Sequence, residues 1–334
     1  GNCVLAKPAT QTPLIAQMAI EAFHKAGVSA DQVQLLPGSG RVVGNALVED
    51  ERVSGILFTG STDTAKQINL KLAERKGPII PFIAETGGQN AMIVDSTALP
   101  EQVIQDVINS SFRSAGQRCS ALRVLFLQED IADKIVRMLK GAMKELKVGN
   151  PMTLDTDVGP VIDEAAKVSL TEHKAWLEKH AKKVFEVPVQ EGQNGTFIAP
   201  CAYELESISQ LKKENFGPIL HIVRFNRHKL DDIIDSINAT GFGLTFGIHS
   251  RIDETIAHVF ERVQAGNIYV NRNMIGAVVG VQPFGGEGLS GTGPKAGGPH
   301  YLARLAKERS LSINTTAAGG NASLMALAGT QEPA

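Results

Sequence analysis

Apolar positions in the first roughly 95 residues fall in short runs separated by glycine, proline and amphipathic stretches, the alternation of parallel α/β units. Cys3-Val4-Leu5-Ala6 predicts a strand. Thr12 and Pro13 predict an N-cap and a first helical position, and Gly27 stands where a C-terminal stop is expected. Val33 to Leu36 predicts a second strand, broken by Pro37-Gly38-Ser39-Gly40. Val53 to Phe58 predicts a third, which Thr59-Gly60-Ser61-Thr62 turns into a helix. Ile79 to Ala84 predicts a fourth, ending at Glu85. Residue 1 falls almost inside a strand, so the expectation is a sheet whose earlier elements are missing from this chain.

From Gly87 onward a second α/β unit is expected. Gln102 to Ser111 and Ile131 to Leu146 predict helices on either side of a strand at Arg123 to Leu127. Gly149-Asn150-Pro151 predicts a loop, and Val168 to His180 a surface helix with the single tryptophan, Trp176. Further strands are expected at Leu220 to Phe225 and Gly266 to Val270. Gly285 to Gly298 is dense in glycine, which marks a loop with unusual angles or a close approach. Ser310 to Thr315 alternates like a late edge strand, and residues after Gly319 read as a loose tail. No internal repeat is visible.

Composition adds exclusions. A chain of 334 residues with 43% hydrophobic and 20% charged positions is an ordinary globular composition, long enough for two compact units. A net charge of −2 gives no reason to expect nucleic acid or an anionic membrane as partner. No apolar run approaches the ~18 residues of a membrane span. No signal peptide opens the chain, which starts on Gly1 and reads as a fragment. Cys3, Cys119 and Cys201 are too scattered for a disulfide framework, and free thiols fit a reducing, cytoplasmic compartment. His173 and His180 share a helix face without ligands at metal spacing, so no metal is expected.

Chemistry centres on Cys119, in Ser114-Ala-Gly-Gln-Arg-Cys-Ser-Ala121. Small neighbours let a carbonyl approach the thiol, and Arg118 beside it is expected to lower its pKa. The alternative is a buried, inert cysteine, the reading kept for Cys3 and Cys201. Glu85 closes an apolar strand ahead of Thr86-Gly87-Gly88, where partial burial would raise its pKa and suit it to proton abstraction; the alternative is a loop or cap carboxylate. Two strand-to-helix turns, Gly38-x-Gly40-x-x-x-Gly44 and Phe58-Thr-Gly-Ser-Thr62, offer backbone N–H groups to phosphate. The first departs by one residue from the usual dinucleotide spacing. Lys7 follows the first strand, within reach of a ribose or simply solvated.

Six motifs in this order resemble the aldehyde dehydrogenase superfamily: Lys7-Pro8-Ala9, Phe58-Thr-Gly-Ser-Thr62, Glu85-Thr-Gly-Gly88, Gly116-Gln-Arg-Cys119, Glu214-Asn-Phe-Gly-Pro218 and Pro283-Phe-Gly-Gly286. The run from Asn271 to Gly286 and Ser290-Gly-Thr-Gly-Pro-Lys-Ala-Gly-Gly-Pro299 resemble the glutamate-γ-semialdehyde dehydrogenase branch. The ending Glu308 to Asn321 resembles the dehydrogenase module of proline utilisation A, a bifunctional bacterial flavoenzyme family.

The resemblance implies an α/β aldehyde dehydrogenase fold. Residues 1–86 would be a partial NAD-binding domain, 87–288 a catalytic domain, 289–306 a return to the NAD domain, 307–318 an oligomerisation strand and 319–334 a tail. It implies NAD as cofactor and L-glutamate γ-semialdehyde as substrate. FAD is expected only in a separate proline dehydrogenase domain of the parent, and a homodimer is expected for that parent. By position, Cys119 is the nucleophile and Glu85 the base. Lys7 would hold the adenosine ribose, and Gly40, Gly60 and Ser61 the phosphates. Glu214 would hold the nicotinamide ribose, with Phe216 beside the ring. Arg118, Ser120, Gly276 and Ala277 would anchor the substrate's carboxylate, and Phe284 would wall the aldehyde pocket.

Thr10 stands where many NAD-preferring relatives carry a carboxylate. The family's oxyanion asparagine, part of its cofactor sheet and one arm of its dimerisation hairpin would precede residue 1. Other readings are a dehydrogenase for another small aldehyde, a cysteine hydrolase with a histidine partner, and an inactive fragment.

Overall fold

The computed structural model describes residues 1–189, 194–278, 280–314 and 326. The chain begins with β1 (Val4–Ala6), α1 (Pro13–Lys25), β2 (Val33–Leu35), α2 (Asn45–Glu49), β3 (Ile56–Thr59), α3 (Thr62–Glu74) and β4 (Phe82–Glu85). β1 pairs with β2 and β3 with β4, both in parallel, and the second pairing sets Thr59 beside Glu85. α1 starts with Pro13 at its first turn, and Gly27 just past its end takes φ +97°. The Thr12 side chain makes no capping bond, so the fixed φ of proline starts this helix. At α3 the cap is made: Ser61 Oγ accepts from the Thr64 N–H at 3.2 Å. β4 begins three residues later than the apolar pattern implies, because Pro81 lacks the N–H a ladder needs and Ile79 points fully into solvent. α1 buries none of its residues.

The second unit runs β5 (Ala91–Val94), α4 (Pro100–Phe112), β6 (Val124–Gln128), α5 (Glu129–Lys144), α6 (Glu164–His180), β7 (Lys182–Glu186), β8 (Cys201–Leu205), β9 (Ile219–Phe225), α7 (Leu230–Asn238), β10 (Phe242–Gly243), β11 (Thr245–His249), α8 (Asp253–Arg262) and β12 (Asn267–Val270). Seven of these strands form one sheet in the order β12-β11-β5-β6-β9-β8-β7, parallel except for the β7–β8 pair. Every residue of β5 and β6 is buried, as in a sheet covered on both faces. That is why Ala91 to Val94 and Val124 to Leu127 are continuous apolar runs. Ile131, Ile135, Leu139 and Met143 repeat at i, i+4 along α5 and press one face onto this sheet.

The glycine-dense segment then crosses back. β13 (Glu287–Gly288) pairs with β10, and Gly291 bridges to Glu85. Thr292 brackets Ala84, donating its N–H to the Ala84 carbonyl at 2.9 Å and accepting from the Ala84 N–H at 3.0 Å. One segment therefore fastens the end of β4 to the second unit.

The late strand is corrected. Residues 310–314 take no strand conformation, because an alternating pattern alone does not hold a strand outside a sheet. The rest of the expected oligomerisation strand and the tail lie outside the described residues, Ala326 excepted. Among the described residues no helix is long and apolar enough to cross a membrane, and no cluster of metal-ligating side chains occurs.

Candidate active site

Cys119 sits past a backbone turn that few sequences tolerate. α4 ends at Phe112, and Ser114, Ala115 and Gly116 then take φ of 56°, 52° and 64°. Two of the three are not glycine, each at a cost of ~1–2 kcal/mol, so the surroundings must enforce the turn. At Gly116 the carbonyls of Gly217 and Ser111 crowd the position where a Cβ would stand, and only glycine fits.

Beyond the turn the loop is fixed from below. The buried Asn90 amide donates to the carbonyls of Cys119 and Ala121 at 2.6 and 2.8 Å, and its oxygen accepts from the Thr245 N–H at 3.2 Å. Thr245 Oγ1 donates to the Ser120 carbonyl at 3.2 Å. Arg123 is wholly buried beneath the loop and donates to the carbonyls of Gly116 at 2.6 Å and Arg118 at 3.2 Å. Neither Asn90 nor Arg123 was singled out from sequence. A charge opening the buried run Leu122-Arg123-Val124-Leu125-Phe126 was the available signal, since a buried cation demands a partner.

That partner is Glu214, at 3.1 Å from the guanidinium. Its carboxylate lies against Gly87, where a Cβ would overlap it. Burial raises the Glu214 carboxyl, and Arg123 pulls against that rise. The exposed ring of Phe216 stands 5.1 Å from the same guanidinium.

Glu85 closes β4 with Oε2 accepting the Gly286 N–H at 2.9 Å and Oε1 buried without a partner. Burial pushes its carboxyl up to about 7, against the Gly286 hydrogen bond and the charge of Lys295. Lys295 is itself hydrogen-bonded to the Gly266 carbonyl. A carboxyl poised there accepts and returns a proton near neutrality.

The Cys119 thiol is half-buried, and its pKa is raised, first by burial and then by the charges of Glu214 and Glu85. This corrects the role expected of Arg118. That residue is exposed, and its Nε donates to Ser114 Oγ at 3.0 Å, so it braces the turn while solvent screens its charge. Ser120 is buried directly after Cys119.

The other candidates line two further rims. Lys7 Nζ donates to the carbonyls of Pro8 and Gly38 at 2.6 and 3.3 Å, which sets it at the β2 turn beside Gly40. Gly60 and Ser61 form the turn into α3. Gly276, at φ +75°, and Ala277 lie on the loop after β12, which Met274 pins to α4 through its N–H and Ser110 Oγ at 3.0 Å. The buried Tyr269 hydroxyl on β12 has no hydrogen-bond partner and lies within electrostatic reach of Cys119. Phe284 bridges to Ala296 in the crossing segment. Cys3 is exposed, and Cys201 is a core residue whose thiol burial pushes up to about 12. His173, Trp176 and His180 stack on α6, which accounts for the paired histidines. Among the described residues no histidine hydrogen-bonds to Cys119, so a cysteine hydrolase gains no support.

Residues 1–311 match the profile of the aldehyde dehydrogenase family. The chain is 57% identical over 318 residues to the bifunctional protein PutA of Escherichia coli, covering 92% of this chain and 24% of that protein. It is 37% identical over 313 residues to 1-pyrroline-5-carboxylate dehydrogenase of Bacillus cereus, covering 91% and 59%. It superposes on a Bradyrhizobium japonicum proline utilization A crystal structure with a TM-score of 0.92 at 57% identity, over 96% of this chain and 32% of that one. For 1-pyrroline-5-carboxylate dehydrogenase from Thermus with bound NAD the TM-score is 0.86 at 33% identity, over 91% and 59%. The chain thus spans about a quarter of the length of the bifunctional relatives it matches.

Proposed function

Because the chain belongs to the aldehyde dehydrogenase family, we propose that it carries the nucleophile and base of an enzyme that oxidises L-glutamate γ-semialdehyde to L-glutamate with NAD. The observation that carries this reading is the pairing of Cys119, on an enforced turn, with Glu85, whose carboxyl is held near 7 within electrostatic reach of the thiol. The substrate rests on the relatives' names and on the open, positive-φ backbone at Gly276.

The residues present fit a dinucleotide. Ser61 caps α3 so that the helix N-terminus faces the turn. Lys7 stands at the neighbouring turn, and Glu214 presents a carboxylate over glycine backbone that no side chain obstructs. Thr10 offers no carboxylate to repel a 2′-phosphate, so the preference for NAD over NADP is modest. The bound cofactor supplies a hydride acceptor.

Cys119 gives its proton to solvent, and the thiolate adds to the aldehyde carbon, forming a C–S bond and an alkoxide. Hydride departure from that carbon leaves a thioester on Cys119. Glu85 takes a proton from water, the resulting hydroxide adds to the thioester carbonyl, and the C–S bond breaks to release the acid and the thiolate. In this reading the peptide N–H of Cys119 would donate to the oxyanion, Ser120, Gly276 and Ala277 would hold the substrate's carboxylate end, and Phe284 would line its side. The divisions at 86, 288, 306 and 318, a cytoplasmic location, a homodimeric parent and FAD in a separate domain of that parent belong to the same proposal.

The natural protein carrying this chain is expected to form NADH from the semialdehyde, and Cys119→Ser to abolish this. With Glu85→Gln, one burst of NADH per active site should precede a slow steady state. Full steady turnover in either variant would overturn the assignment.

A further inference from the structure

Arg123 has the largest wholly buried side chain among the described residues. Its terminal nitrogens reach two separate segments. On the nucleophile loop they donate to the Gly116 and Arg118 carbonyls at 2.6 and 3.2 Å. On the segment after β8 they meet the Glu214 carboxylate at 3.1 Å and the Gly217 carbonyl at 3.3 Å. Nε has no partner, so every hydrogen bond of this guanidinium ends on one segment or the other.

The backbone beneath is equally fixed. The Arg123 carbonyl accepts from the His221 N–H and faces His221 Nδ1, each at 2.9 Å. A carbonyl only accepts, so Nδ1 carries the proton and Nε2 accepts from His173 Nε2 at 2.9 Å. With its main chain held, the guanidinium can respond only by shifting between its two sets of oxygens.

We propose that Arg123 is a positioning residue that couples the Glu214 carboxylate to the Cys119 loop, so that engagement of Glu214 by a ribose is felt at the nucleophile. This rests on the reading of Glu214 as the ribose holder and Cys119 as the nucleophile. When Glu214 gives part of its charge to a hydroxyl, the guanidinium closes on the carbonyls of Gly116 and Arg118 and tightens the turn before Cys119.

The test compares Glu214→Gln, Arg123→Lys and the double variant in the natural protein. The readout is alkylation of Cys119 by iodoacetamide, resolved by peptide mapping and taken at its pH-independent limit, where ionisation of the thiol no longer enters. Glu214→Gln should slow the limiting rate at least about threefold in the Arg123 background and leave it unchanged in the Arg123→Lys background, the non-additivity of coupled sites. Loss of the carboxylate's direct field at the sulfur would lower the thiolate's intrinsic nucleophilicity, and that slowing would persist in both backgrounds. Equal effects in both backgrounds, or none in either, overturn the coupling. If Arg123→Lys does not fold, amide hydrogen exchange from Gly116 to Ala121 decides: protection must rise in Glu214→Gln, and unchanged exchange overturns the proposal. Neither readout needs turnover, so a failure of the aldehyde dehydrogenase reading shows separately, as the absence of NADH formation by the unaltered protein.

Discussion

The side-chain amide of Asn90 holds the main-chain carbonyl of Cys119 at 2.6 Å. It reaches the nucleophile's backbone from 29 positions away, on the approach to β5. The sulfur's location therefore depends on a residue with no chemistry of its own.

Replacing Asn90 with alanine removes three hydrogen bonds and leaves the Cys119 and Ala121 carbonyls buried without donors. Chemical denaturation should show a loss of roughly 2–4 kcal/mol, at ~1 kcal/mol per bond plus desolvation of the orphaned oxygens. Turnover should fall further than the fraction unfolded explains. A loss under ~0.5 kcal/mol would mean that water replaces the amide without penalty.

Glu85 sets a pH dependence whose sign is fixed. Its carboxyl is raised to about 7, so under the proposed role it is protonated and idle in mild acid, and thioester hydrolysis is expected to rise through neutrality. The same shift bears on stability. A carboxyl raised on folding contributes fully below its unfolded value of 4.5, and the contribution is lost as pH rises through about 7. Glu85→Gln should therefore melt close to the unaltered protein at pH 5 and above it at pH 8. A melting difference independent of pH would contradict the raised carboxyl.

The thiols should sort by environment. Cys3 is exposed and should alkylate first at neutral pH, Cys119 more slowly, with a rate that keeps climbing with pH because its thiol is raised, and Cys201 only on unfolding. Mapping labelled peptides against pH checks the order. A Cys119 that outpaces Cys3 at pH 7 would show that its pKa is not raised in solution.

Gly276 takes φ +75° with open space where a Cβ would project. Gly276→Val costs ~1–2 kcal/mol of backbone strain and moves the peptide N–H groups. In the natural protein kcat/KM for the semialdehyde should fall at least about tenfold and that for propanal less than about threefold, since only the first places a carboxylate there. Equal losses would remove the loop from substrate recognition.

Local chemistry was legible in the chain. Pro13, Gly27 and Ser61 mark helix ends by their own backbone and hydroxyl, and the structure places those ends within a residue or two of the reading. β5 and β11 were not read. Ala91 to Val94 is too short for a period, and Thr245 to His249 contains a glycine; both exist because long-range partners complete them. The site divides the same way. Cys119 and Glu85 announce themselves through their neighbours, whereas Arg123 acts on Gly217 from 94 positions away. Adjacency favoured Arg118, yet electrostatics follow burial, and Arg118 is in solvent while Arg123 is not.

The crossing segment ties the chain together across residue 86. A break at residue 86 would separate Ala84 from Thr292 and Glu85 from the Gly286 N–H, since both partners lie more than 200 positions downstream. The first piece would keep its strands and lose what aims Glu85. The second would keep Cys119 and carry an idle clasp. The pairing of Cys119 with Glu85 is thus a property of the chain's closure on itself, and neither half inherits it.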